Sequence, residues 1–182
     1  MSNLNDNALI QIFLPILQSG LIAAGFATAI VKQSNQPTQQ GANTVPTCYF
    51  FKVADKRYGY LGRYDKWDVI SSQMVHTENQ YFESTWQVGA LVLQNPKDLT
   101  IPTASDLVNE AAWIMQSDAT RQTLNTNGIG ILRISDIVNP YFRDDRDNFE
   151  AFPSFDFTLV YEQQRIIQDP IITDYDIDII GV

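Results

Sequence analysis

A chain of 182 residues, 45% hydrophobic and 12% aromatic, carries enough apolar side chain for one ordinary core and too little for two, so a single domain over 1–182 is expected. Its formal net charge of −9 repels a polyanion at long range, which argues against general affinity for nucleic acid. One cysteine, Cys48, and one histidine, His76, allow no intrachain disulfide and no zinc set of the usual Cys and His ligands, and a reducing compartment fits best.

The first basic residue is Lys32, so the apolar segment before it has no basic region of a secretory signal, and Asp6 argues against an organelle presequence. A membrane span over Ala8–Val31 is weighed against a buried helix followed by a strand. Gln11, Pro15, Gln18, Ser19, Gly20, Gly25 and Thr28 interrupt the segment and neither end is basic, which favours the buried helix and no membrane. Asn5, Asp6 and Asn7 can cap that helix, with Leu9, Ile10, Phe13, Leu14, Leu17 and Leu21 as its apolar stripe. Pro15 predicts a kink or two short helices, with Gly20 and Gly25 marking the end. A strand is expected near Ala27 to Gln33.

Residues 33–47, QSNQPTQQGANTVPT, are polar and uncharged and read as an extended loop or as an arm reaching a neighbouring subunit. Cys48 to Val53 and Tyr58 to Leu61 then predict a hairpin with Ala54, Asp55, Lys56 and Arg57 at its tip. Gln80 to Leu93 alternates, with Phe82, Trp86, Val88, Ala90 and Val92 on one face, and should be a central strand. Thr103 and Asp106 stand at capping-box spacing before the amphipathic run Leu107, Val108, Ala111, Ala112, Ile114 and Met115. A second short helix is expected after Asp118, ending at Asn127 and Gly128, with strands over Ile129 to Ile134 and around Phe155, Phe157, Leu159 and Tyr161. The order describes an α+β fold, a mostly antiparallel β-sheet covered by helices on one side, with a β-hairpin and long loops.

Between 141 and 163, Asp144, Asp145, Asp147, Glu150 and Asp156 crowd together as a magnesium site of phosphate chemistry would. Arg143 and Arg146 are interleaved with them and would offset their charge in local ion pairs, and Asp156 points away from the Phe155 and Phe157 face. A charged turn or subunit contact is the preferred reading, with no metal. His76 without a nucleophile motif reads as a strand-edge residue. Gly128-Ile129-Gly130 leads into a strand, the wrong order for a phosphate loop. Residues 52–67 gather Lys52, Lys56, Arg57, Arg63 and Lys66, five of the twelve basic residues, beside Tyr58, Tyr60, Tyr64 and Trp67. That mixture suits a protein interface better than single-stranded nucleic acid in so acidic a chain. The acidic C-terminal segment 168–182 alternates Ile with Asp, as would a charge-guarded edge strand or a strand donated to the next subunit.

Four stretches resemble one family: YFFKVADKRYGYLGR at 49–63, HTENQYFESTWQVGALV at 76–92, TASDLVNEAAWIMQS at 103–117 and GIGILRISDIVNPYFRDDRDNFEAFPSFDFTL at 128–159. They look like the tail terminator or neck terminator proteins of contractile-tailed bacteriophages. Arg133, the YFRDDRDNFE turn and the PSFDF strand are the most specific part. The resemblance implies a structural virion protein, assembled in the host cytoplasm, that forms a ring, usually of six copies, at the head-proximal end of the tail tube. Such a ring would end tube polymerisation and join tail to head. Its partners would be further copies of itself, the tail tube, the sheath protein and head-completion or connector proteins, with genomic DNA passing through unread. No catalysis and no cofactor are implied. A different neck layer, a connector, adaptor or gateway ring, is the nearest alternative and a metal-dependent phosphoesterase the remote one. The candidate interface residues are Lys52, Lys56, Arg57, Tyr58, Arg63, Arg143, Asp144, Asp145, Arg146 and Asp147.

Overall fold

Phe13 stands at the centre of the core, its ring edge-on to Phe50, Trp86 and Phe157 with centroids 5.1, 5.1 and 5.4 Å away. The structure, a computed structural model, describes residues 4–33, 45–93, 100–143 and 149–168, with the backbone alone at 141–143 and 149–151. Phe13 belongs to helix α1, Asp6–Ala23, which buries Leu9, Phe13, Leu17 and Leu21 as a single row of every fourth residue. A four-residue step keeps side chains on one helix face, so this row turns wholly toward the sheet. The Asn5 side chain caps the helix by accepting from Ala8 N–H. By length and composition α1 would pass as a membrane span, but its most apolar stripe lies within the core.

One helix, not two short ones, runs through Pro15. The proline sits on the exposed side, where water can satisfy the carbonyl it leaves without a donor. Ser19 Oγ–H also donates to the Pro15 carbonyl at 2.7 Å. Gly20 is likewise inside the helix rather than at its end, and packs beneath Ile114. The chain leaves α1 through Gly25, whose φ of +98° is the left-handed region that a side chain disfavours.

Five strands form the main sheet: β1 Ile30–Gln33, β2 Thr47–Asp68, β3 Gln73–Leu91, β4 Ile129–Ile134 and β7 Ser154–Gln168, in the order β1-β2-β3-β7-β4. The β1–β2 pair is parallel and the others antiparallel. The strands β5, Tyr141–Arg143, and β6, Phe149–Ala151, pair separately. Register partners share a face, so Cys48, Phe50, Trp86, Val88, Ala90, Phe155, Phe157, Leu159 and Tyr161 line the side that α1 covers, all of them buried. The central strand foreseen at 80–93 is β3. It starts seven residues earlier, at Gln73.

Helix α2, Ala104–Gln116, begins at the Thr103 and Asp106 capping box and buries Leu107, Val108, Ala111, Ala112, Ile114 and Met115. Helix α3, Asp118–Thr126, is capped by Ser117 and ends at Asn127 before Gly128, φ +73°. The opposite face of the sheet is partly covered by the chain entering β7, where the Phe152 ring fills the space a side chain at Gly89 would need. The Gln18 side chain ties α1 to the sheet margin, donating to the Ala29 carbonyl and accepting from Val31 N–H at 2.8 and 2.9 Å.

No hairpin turns at 54–57. The strand β2 continues through these residues to Asp68, and the reversal lies at Val69–Ser72. Residues 54–57 contain no glycine, proline or asparagine to favour a tight turn. The charged side chains of 54–57 face water because the strand has left the core at that point, not because the chain turns there. The true turn is held by Asp68, whose carboxylate accepts from Ile70 N–H and Ser71 Oγ–H at 3.1 and 2.6 Å. Those two bonds favour the ionised carboxyl and lower its pKa. The predicted arm at 33–47, apart from its ends, and the C-terminal segment beyond Gln168 lie outside the described residues.

Candidate assembly interface

Beyond the core, three strands run on alone. β1 accompanies β2 only as far as Phe50, and β4 accompanies β7 only up to Tyr161. The remaining parts of β2, β3 and β7 form a wing in which β3 is the middle strand. Residues 73–85 of β3 span roughly 40 Å at the ordinary strand rise. Nearly all of β2 from Val53 to Trp67 is exposed.

Two irregularities in β2 decide which side chains share a face. Register shifts fall between Lys52 and Ala54 and between Tyr58 and Gly62, the second containing Gly59 at φ +73°. The first inserts one extra residue and so exchanges the faces of everything after it. As a result Lys52, Arg57 and Arg63 stand on the helix-bearing side, opposite Trp86, Phe82 and Glu78. Lys56, Tyr58 and Tyr64 stand on the other side, opposite Glu83, Tyr81 and Thr77.

Lys52 is at the root of the wing, where its ammonium pairs with Asp6 at 2.5 Å and with Asp55, and lies 5.9 Å from the Trp86 ring. Burial lowers its pKa, but the bonds and charges of Asp55 and Asp6 together outweigh this, and the net shift is upward. Lys52 thus braces the start of α1 against β2. Further out, Arg63 meets Glu78 at 3.2 Å and Lys56 meets Glu83 at 3.7 Å. Both basic side chains remain largely exposed, so each pair is worth only about 0–1 kcal/mol. Arg57 lies over the Phe82 ring at 5.9 Å, and Phe82 in turn stacks on Tyr161. Tyr58 is exposed beside Tyr81.

His76 is on the middle strand of the wing, flanked by Asp65 and Ile167, rather than at a strand edge. The sequence reading missed that β2 and β7 both extend past it. Its Nδ1 is 2.6 Å from Asp65 Oδ1. Asp156 is a cross-strand partner, accepting from Gln87 Nε2–H at 2.9 Å on the face away from Phe155 and Phe157. Arg143 is described by its backbone in β5, and Asp144, Asp145, Arg146 and Asp147 lie outside the described residues.

Sequence reasoning did not find the apolar end of the wing. At the turn Val69 and Ile70 are 79% and 96% exposed, with Trp67 half exposed beside them. Two β-branched apolar residues in a turn were the available signal. The wing has apolar and aromatic side chains on both faces and, among the described residues, no strand against either margin, the kind of exposed sheet edge that can accept an added strand.

The chain thus combines a small α+β core with a long sheet extension that has no further strand along its margins among the described residues. The chain belongs to the family of the phage E217 gateway protein gp29, whose family model matches residues 8–171. It is therefore a phage neck protein of the gateway group, and the resemblance seen in the sequence holds at that level. Comparison with curated proteins gives no match.

Proposed function

We propose that this chain is a non-enzymatic ring subunit of the phage neck that joins head to tail and lets DNA through. The family match over residues 8–171 carries this reading, and the exposed wing supports it by supplying surface that a monomer leaves in water. In a closed ring each copy meets its neighbours through two different surfaces. The two margins of the wing, β2 on one side and β7 on the other, offer such a pair. Lys56, Arg57, Tyr58 and Arg63 belong to the β2 side, with residues 143–147 as a second contact. The net charge of −9 per copy suits a channel that DNA traverses without adhering.

The gateway description of the family favours a layer between the head connector and the tail over the tail terminator itself. Electron microscopy of whole particles tests the ring: density for this fold between portal and tail tube, in a closed circle, is expected. Particles without it there would overturn the reading. A deletion strain separates the layers. Loss of a gateway ring leaves tails of normal length unjoined to heads, whereas loss of a terminator gives tubes of uncontrolled length.

A further inference from the structure

The outer margin of β2 is unusual among the edges of this sheet. Among the described residues no strand pairs with it from Phe51 to Asp68. It carries Lys52, Lys56, Arg57, Arg63 and Lys66 against Asp55, Asp65 and Asp68, a local excess of positive charge in an acidic chain. Arg57 and Lys66 have no carboxylate at ion-pair distance among the described residues. The faces of the margin also differ, with Arg57 and Arg63 on the helix-bearing side and Tyr58 and Tyr64 on the other. Asp55 and Asp65 share the side of the arginines, but they are taken up by Lys52 and His76.

Residues 169–182, DPIITDYDIDIIGV, have the complementary pattern: four aspartates and no base. At strand periodicity Asp174, Asp176 and Asp178 share one face and Tyr175, Ile177 and Ile179 the other. An added strand can thus set its carboxylates beside Arg57 and Arg63 and its apolar face beside Tyr58 and Tyr64. The nearer margin, along β7 itself, has no such match, since Glu162 and Arg165 there offer one charge of each sign.

We propose that residues 169–182 of one copy add as a strand to the β2 margin of the wing of the next copy, aspartates against Arg57 and Arg63. The inference rests on the ring reading above and names the contact that closes it. The chain leaves β7 at Gln168, opposite Val75, with β3 between it and β2. Its own β2 margin lies across the end of the wing, about 10 Å away by strand spacing. In a ring of copies oriented alike, one copy's β7 side faces the next copy's β2 side. Strand addition supplies main-chain bonds for affinity, while the side-chain pattern sets register.

The test compares the full chain with a chain ending at Gln168, and uses a synthetic peptide of residues 169–182 as probe. The shortened chain keeps the whole described core, and its urea midpoint should match that of the full chain. It is expected to bind the peptide saturably, and R57E together with R63E should weaken binding about tenfold or more. In particles the shortened chain should fail to form the neck ring. Peptide binding that is absent, or unchanged by the two reversals, would overturn the proposal, as would rings built normally from shortened chains. A full chain that stays monomeric while its own segment blocks the peptide would place the strand within one copy and overturn the exchange. Specific peptide binding with no neck density in particles would instead count against the ring and leave the contact itself standing.

Discussion

Ile114 of α2 occupies the space above Gly20 of α1, so a β-carbon on residue 20 would stand 2.8 Å from its side chain. The helices meet this closely because residue 20 has no side chain. Gly20→Ala would ordinarily strengthen a helix by up to about 1 kcal/mol. Here it should cost about 1–3 kcal/mol through overpacking. Urea denaturation measures this, and I114V in the same chain should recover part of the loss. A stabilised Gly20→Ala protein would show that α2 moves aside freely.

Pro15 gives the opposite expectation. It lies within α1 on the exposed side, where it removes one main-chain bond and buries nothing in return. Pro15→Ala should raise stability by about 1–3 kcal/mol, because the interior of a helix disfavours proline relative to alanine. On the buried side, Phe13→Ala should lower it by about 3–5 kcal/mol by opening a cavity among Phe50, Trp86 and Phe157. Denaturant midpoints of the two variants should therefore move in opposite directions.

Cys48 is fully buried on β2, and burial pushes its thiol pKa up to about 12. An alkylating reagent at pH 8 should leave the folded chain unmodified and label it completely in urea. The folded protein holds the thiol proton to higher pH than the unfolded chain, whose thiol titrates near about 8.5. Its contribution is thus intact below that value and declines as pH rises toward about 12. The slope is about 1.4 kcal/mol per pH unit within the window. A Cys48→Ala variant should lack this alkaline decline, and an equal decline in both proteins would disprove the assignment.

Most of the core could be read from periodicity, because burial enforces it. The row Leu9, Phe13, Leu17 and Leu21, the Thr103 and Asp106 box and the Phe155 to Tyr161 alternation all have partners that demand the pattern. The wing could not be read this way. Past Val53 neither face of β2 is inside the core, so apolar and charged residues follow no period and the strand resembles a turn. The bulge after Lys52 then reverses the faces, so spacing alone groups Lys52 with Lys56 where the register groups it with Arg57 and Arg63. A bulge is set by how two strands meet, and the sequence of one of them gives little sign of it. The place of His76 is hidden for the same reason, since its neighbours β2 and β7 reach it only by running beyond the core.

Exposed positions on the wing should separate assembly from folding. Tyr58→Ser with Tyr64→Ser removes two rings that face solvent in the single chain, and surface changes of this kind typically alter stability by less than about 0.5 kcal/mol each. The doubly substituted protein should unfold at nearly the same urea concentration as the parent. It should nevertheless be poorly incorporated into particles, because central aromatic contacts carry a large share of interface energy. Asp144→Ala with Asp145→Ala should behave in the same way, residues 143–147 being the second proposed contact. Neither pair should alter a magnesium-dependent phosphoesterase assay. Normal incorporation of the tyrosine variant would take the wing out of the interface, and a magnesium-dependent activity lost with Asp144 and Asp145 would restore the enzyme reading of those carboxylates.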